Sequence, residues 1–451
     1  MERSVPIWLV LLILIMGALF TVVFGAAVKS TATGGDRTGM FGRVAFEIAS
    51  FPSLVRRSFE EVRDVATGAA LDADFIVPRE LPIGPEFSPI PVAEGIDITS
   101  PMLRLEDESA ERGWRAMSGA FEIAGGVGNA IVLISPDNEI VHVWPLDEPD
   151  VADARPPQEK LLHGMELLPD GSVIFVFDGG RSIQRYDACG ERLWAGLGTY
   201  HHSVAFDATD NTVWTIANVS DLAEISVDTG EQLRLISLRT VMERNPENDI
   251  LGLRVLHEDF SRSNRRNTRG AWMTETFHLN DLDPLPDALT DQFPEFEQGD
   301  LLVSARSTNL VFVLDPDTLE IKWWTIGETQ RQHDPDWLEN GEILIYDNRM
   351  SRDFSEIISI DPATDAVSKL IDGSDFEFYS RIRGKSQRTP NAIVLSSPQQ
   401  GRAFEVDDEG TVVLEIMNPR TGRDDRNLII TELRWLPEDF FENAPWPCER
   451  P

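Results

Sequence analysis

From about Met117 onward, apolar and polar residues alternate in a repeating rhythm. A short apolar run, a tight turn of Asp, Gly, Asn or Pro, and a second short run recur six times. These are Leu133–Trp144, Arg185–Trp194, Ile225–Ile236, Val313–Trp324, Ile358–Leu370 and Phe404–Ile416. Runs this short, separated by turn residues, predict β-hairpins rather than helices. Matching positions lie 41 to 50 residues apart, apart from one gap of 87 between Asp228 and Asp315. A period of about 40–50 residues suits a four-stranded propeller blade. The expected fold is therefore an all-β, six-bladed β-propeller with a long inserted loop over one mouth of its channel. A seventh blade within 239–276 stays open, although the polar, irregular stretch from Arg239 to Arg269 argues against it. The turn aspartates Asp228, Asp315, Asp361 and Asp407 are expected as turn formers.

The N-terminal pattern is different. Val5 to Val28 holds 24 residues without a charge, more than the ~20 that a helix needs to cross a bilayer. A cleaved signal has an apolar stretch of about 7–15 residues, so residues 1–30 are expected as a retained transmembrane anchor, with cleavage after Gly25–Ala27 as the alternative. Flanking charges (Glu2, Arg3, Lys29) are too balanced to orient it. Residues 31–115 are expected as a connector. Its apolar positions Val44, Ile48, Phe51, Val55, Phe59 and Val62 have helical spacing, and Pro52 leaves 53–67 as the safer part of a short amphipathic helix. Six prolines from Pro78 to Pro101 then predict an extended linker, with the propeller domain over 116–451.

Composition narrows the function. The chain has a formal net charge of -36 and five lysines, so it lacks the basic footprint of a nucleic-acid binder. The acidity is spread out and reads as a solvated surface. Cys189 and Cys448 form no metal motif; in an oxidising compartment they could be bridged, tying the tail to the second repeat, or stay as two thiols. A homodimer is compatible with the sequence.

Candidate chemistry lies in the histidines. His163, His202, His278 and His333, four of the seven, each open a repeated unit, with Gly171 and Gly341 eight residues after His163 and His333. A side chain that returns at the same place in successive blades would gather on the channel axis. Arg306 follows in LLVSAR, and Lys385, Ser386 and Gln387 stand in the last blade where the others carry histidine. Such a basic, polar end of the channel suits a small anion. His142 and His257 are expected as ordinary strand and loop residues.

The blocks FHLND, GDLLVSARSTNLVFVLD, RQHDPDWLENGEILIYDN, GKSQRTPN and GRAFEVDDEG resemble the aryl-sulfate sulfotransferase family, bacterial and largely periplasmic enzymes built on a six-bladed propeller. The similarity covers roughly Met117 to Pro419. It implies transfer of a sulfuryl group from an aryl sulfate ester to a phenol, without a nucleotide sulfate donor and without a cofactor, through a sulfated histidine. Position by position, His333 resembles the nucleophile, and His278, Asn280 and Arg306 its anion-binding partners. The pair His201 and His202 resembles a histidine from an earlier blade, with His202 favoured by the repeat. Lys385 and Ser386 resemble a basic–hydroxyl pair, and His163 is added as a substrate-binding candidate by its place in the repeat. The chain departs from the family in its anchor, its acidic insert 281–298 and Ser203, where an acidic residue is expected. With the anchor read from Val5 to Val28, the resemblance implies a propeller held on the periplasmic side of the membrane.

That chemistry is sound for these residue types. Sulfuryl transfer resembles phosphoryl transfer, with negative charge on the non-bridging oxygens and the leaving group. Neutral imidazole is a competent nucleophile near neutral pH, and a guanidinium fork suits the oxyanion. Two other readings stand beside it. Converging imidazoles bind zinc or iron, though Arg306 and Lys385 would oppose a cation. A tethered propeller also serves as a non-catalytic scaffold.

Overall fold

The computed structural model describes residues 6–32, 40–41, 44–45, 48–49, 75–124, 126–148, 160–253, 277–350, 352–442, 446 and 448. The amphipathic segment expected over 53–67 lies outside these residues, as does His257. Two compact units are present, one of residues 1–71 with 254–274 and one of 72–253 with 275–451. In the first, Ile7–Ala32 forms helix α1. Its Ile7–Val28 stretch is apolar and almost wholly unburied, long enough to cross a membrane as an anchor or to serve as a signal sequence.

Six antiparallel blades make up the second unit. Blade 1 contains Trp114–Ile123, Gly126–Ile134 and Ile140–Pro145, and its innermost strand is the C-terminal Ile430–Leu436. Blades 2 to 5 run in chain order from their innermost strands Leu161–Leu167, Tyr200–Asp207, Leu279–Pro284 and His333–Trp337. Blade 6 starts at Ser386–Arg388 and ends at Val412–Met417. All six hairpins expected from the sequence pair the third and fourth strands of a blade.

The ring closes because one chain end supplies a strand to the other end's blade. Gln387 fastens that junction: its side chain accepts from the Trp435 amide at 2.9 Å and donates to the Trp435 carbonyl at 3.1 Å. A buried apolar cluster fills each of the six interfaces between neighbouring blades, so burial, the main favourable term in folding, is spread round the wheel. Closure also leaves no long exposed inner edge.

The wide gap in the repeat holds helix α2 (Leu238–Arg244) and a 3-10 turn, Asp249–Gly252. Leu238, Val241, Ile250 and Leu251 pack into the interface of blades 3 and 4, so the described part of the insertion caps a blade junction. The proline-rich stretch is extended, as expected, but it lies on the blades. Ile76–Pro78 pairs with Arg426–Leu428, and Leu103–Glu106 adds a strand to the outer edge of blade 6. Ile90, Ile98 and Met102 bury themselves between blades 6 and 1.

Asp315, Asp361 and Asp407 shape their turns by accepting backbone N–H groups two to four residues on. The turn after Ser226 uses Ser226 and Thr229 instead. Cys189, in the outer hairpin of blade 2, is bridged to Cys448. His142 packs 4.3 Å from Trp144 and 5.9 Å from Trp446 in an outer aromatic cluster, a structural place as expected.

Candidate active site

The innermost strands are not regular. Pairing with the next strand slips between Leu162 and Gly164, His201 and Val204, Leu279 and Asp281, His333 and Asp336, and Ile430 and Glu432. Five of six inner strands therefore bulge near their starts. His202 and Asp334 in these bulges, and His278 and Arg383 just ahead of inner strands, have positive φ of 69°, 53°, 51° and 65°, unusual for residues with a Cβ. Bulges re-aim side chains and are common beside active sites. Here they let imidazoles from unequal positions meet. His163 and His202 lie in bulges, His278 immediately precedes its strand, and His333 begins one. The repeat therefore brings the four to one place without putting them in one strict register.

The rings form a chain across blades 2 to 4. His163 and His202 have ring centres 4.6 Å apart, and His202 and His278 5.0 Å. His201 backs His202, with the two Nδ1 atoms 2.6 Å apart and His201 Nε2 3.0 Å from the Asn218 carbonyl. A carbonyl only accepts, so His201 carries its proton on Nε2. With both rings neutral, His202 must donate Nδ1–H to His201 and present a bare Nε2.

His333 is buried, and both its nitrogens are engaged. Nδ1 lies 2.5 Å from Asn348 Oδ1, and Nε2 accepts the Arg383 backbone N–H at 3.1 Å. Burial first, then the Arg306 guanidinium, pushes its pKa well below the ordinary 6.5. His202 and His163 are also lowered well below it, burial again leading, with neighbouring imidazoles (and Arg383, for His163) adding to it. These are neutral imidazoles at neutral pH.

The remaining candidates surround them. The Arg306 amide donates to the His278 carbonyl at 3.2 Å, and its charge acts on His333. Asn280 donates its amide to the Gln332 carbonyl at 2.7 Å, bracing the residue before His333; its buried Oδ1 has no partner among the described residues. The same holds for Ser386 Oγ and His163 Nδ1. Lys385 departs from the expected anion-binding group. Its ammonium lies 2.9 Å from Asp281 and 2.6 Å from Asp334. Burial alone would lower its pKa, but these carboxylates with Glu432 raise it well above the usual value. Lys385 is thus charged and already compensated.

Beneath the imidazoles runs a layer the sequence reading missed. Asp281, Asp283, Asp334, Asp336, Glu166 and Glu432 come from inner strands of blades 4, 5, 2 and 1, and Arg434 bridges Glu166 and Glu432. Burial, then mutual repulsion, raises Asp283 and Asp336 well above the normal carboxylate range. Asp334 is raised to about 7, burial outweighing the pull of Lys385. The signal was present as an alternating Asp-x-Asp after His278 (Asp281, Asp283) and at His333 (Asp334, Asp336). Imidazoles and guanidinium groups therefore occupy one level, and buried carboxyl groups with their cationic partners the next.

The site residues and strands fall largely within a match to the arylsulfotransferase (ASST) family over residues 164–419, more than half of the chain. The chain belongs to the arylsulfotransferase family. No curated protein matches it. Among solved structures, a protein of unknown function from Bacteroides caccae superposes with a TM-score of 0.45 at 14% identity, covering 72% of this chain and 98% of that one. A nidogen/laminin complex gives 0.42 at 10%, covering 71% and 99%. Hydrazine synthase from Kuenenia stuttgartiensis gives 0.40 at 9%, covering 63% and 73%. These likenesses are too weak to carry an argument about fold or function. For this arylsulfotransferase the family implies small-molecule substrates.

Proposed function

We propose that this arylsulfotransferase moves a sulfuryl group from an aryl sulfate to a phenol, without a nucleotide donor, through a sulfated His333. The observation that carries the reading is a buried, neutral imidazole whose Nδ1 is tied to Asn348, beside Arg306 and His278. In the first step the Nε2 lone pair attacks sulfur, the sulfur–aryl oxygen bond breaks, and its electron pair leaves on the phenolate. His202, protonated on Nε2, gives that oxygen its proton. An anion bound nearby favours this protonated form. In the second step the acceptor phenol oxygen attacks sulfur, the sulfur–Nε2 bond breaks with its electron pair returning to His333, and the phenol proton passes to His202, so the cycle closes without net proton transfer. Arg306 holds the sulfuryl oxygens, a contribution of about 3 kcal/mol, roughly a hundredfold in rate. Asn280, His163, His201, Lys385 and Ser386 form the surrounding polar wall.

The bridged Cys189–Cys448 pair supports a periplasmic, oxidising location, with residues 1–30 as the anchor, 31–115 between, and 116–451 as the catalytic propeller. To test the reaction, full-length protein is given a chromogenic aryl sulfate without acceptor. The peptide holding His333 should gain the mass of one SO3 group, and His333→Ala should neither gain it nor turn over. Turnover that survives His333→Ala removes His333 as nucleophile. A second reading has one observation in its favour: His163, Asp178 and His202 offer metal-ligand atoms within 4.8 Å of one another. A stoichiometric metal that is needed for turnover would favour it.

A further inference from the structure

We propose that Asn348 is a positioning residue that decides which nitrogen of His333 attacks; the proposal rests on the transferase reading above. Asn348 ends the strand–loop segment after Ile343–Asp347 and is fully buried. Its amide nitrogen donates to the carbonyls of Ser380 and Arg383 at 2.8 and 2.6 Å. Two carbonyl partners admit only the NH2 group, so the side chain cannot be flipped. Oδ1 therefore faces His333 Nδ1 at 2.5 Å, and that nitrogen must carry the proton. The lone pair is left on Nε2, the atom that meets the Arg383 amide.

A neutral imidazole free in solution shares its proton between both nitrogens. If Nδ1 held the lone pair here, it would face the Asn348 oxygen and have no path to a substrate. Asn348 thus removes the unproductive tautomer and holds the ring plane. It also anchors the Ser380–Arg383 segment, whose Arg383 guanidinium lies 3.7 Å from Asp178 across the channel. One side chain therefore couples the orientation of the nucleophile to the segment that supplies a backbone donor beside it.

The test reads the tautomer directly. Full-length protein in detergent micelles is labelled with 15N-histidine, and His333 is assigned by difference against His333→Gln. The wild type is expected to show a protonated Nδ1 and a bare Nε2. Asn348→Ala is expected to mix the tautomers and to lower kcat by about a hundredfold or more, with KM changed by less than about threefold. Asn348→Asp keeps the acceptor. It is expected to retain the tautomer and, through its charge, to move the acid limb of kcat/KM to higher pH. A wild-type proton on Nε2 overturns the proposal whether or not either variant folds. So does an Asn348→Ala enzyme with normal kcat, or one altered in KM alone. If the tautomers behave as expected but no aryl sulfate is turned over, the transferase reading falls and takes the catalytic role with it, leaving only a locked imidazole.

Discussion

The backbone N–H of Arg383 donates to Nε2 of His333 at 3.1 Å, and that nitrogen is the one whose lone pair would attack. In the proposed reaction sulfur and the amide cannot share that direction, so the amide would step aside as sulfur arrives. It is then placed to donate to a sulfuryl oxygen. The next residue, Gly384, has φ of +110°, and its open side faces the Tyr346 ring. A Cβ there would enter the ring, and the φ would be strained. Gly384→Ala should cost about 1–3 kcal/mol of stability and lower kcat at least tenfold, read by denaturant melts and steady-state kinetics.

Activity should persist on the acid side. His333, like His202 in the free enzyme, has a pKa held below 6.5 by burial, so the nucleophile stays neutral where a free imidazole would be protonated. The acid limb of kcat/KM in the free enzyme should therefore lie below pH 6.5. A limb at or above 6.5 would contradict the burial. Stability has the same sign for these groups. Below 6.5 the unfolded chain takes up protons that the folded rings refuse, so their contribution is lost as pH falls.

Asp334 works in the opposite direction. Its pKa rises from 3.8 to about 7 in the fold, so the folded state holds the proton more tightly. Stability from this group should fall as pH rises from about 4 to about 7. Asp334→Asn should remove that component: its melting temperature should gain on the wild type at pH 8 more than at pH 4. Equal differences at both pH values would show that Asp334 is already ionised.

The Cys189–Cys448 bridge spans a separation of 259 residues and ties the tail to blade 2. Cross-linking so long a loop restricts the unfolded chain by about 5 kcal/mol in the entropic account, with 2–5 the usual measured range. Cys448→Ser should lower the denaturation midpoint, and reductant should bring the wild type down to it. Because the bridge joins the tail to the outer hairpin of blade 2, away from the imidazoles, kcat should stay within about twofold in the folded variant.

Much of this was legible in the chain because propeller blades are local. Each outer hairpin is contiguous, so the runs at Val313–Trp324 and Phe404–Ile416 announce themselves by alternation and turn residues. The histidine cluster was legible for the same reason: a repeat delivers His163, His202, His278 and His333 to one level. What the pattern concealed depends on meetings between blades. Asp283 and Asp336 alternate with apolar neighbours just as surface residues do; only ring closure turns them inward. Asn348 lies fifteen residues after His333, and no local period links the two. Lys385 looked like a free cation because Asp281 and Asp334 reach it from other blades. The bulges and positive φ at His202, His278 and Asp334 left no recognisable trace in residue type.

The carboxyl layer carries little uncompensated charge. Lys385 spans Asp281 and Asp334, Arg434 spans Glu166 and Glu432, and burial pushes Asp283 and Asp336 toward their neutral forms. An anion arriving at the imidazoles would therefore meet a floor close to electrical balance, and the pull of Arg306 would not be cancelled from beneath.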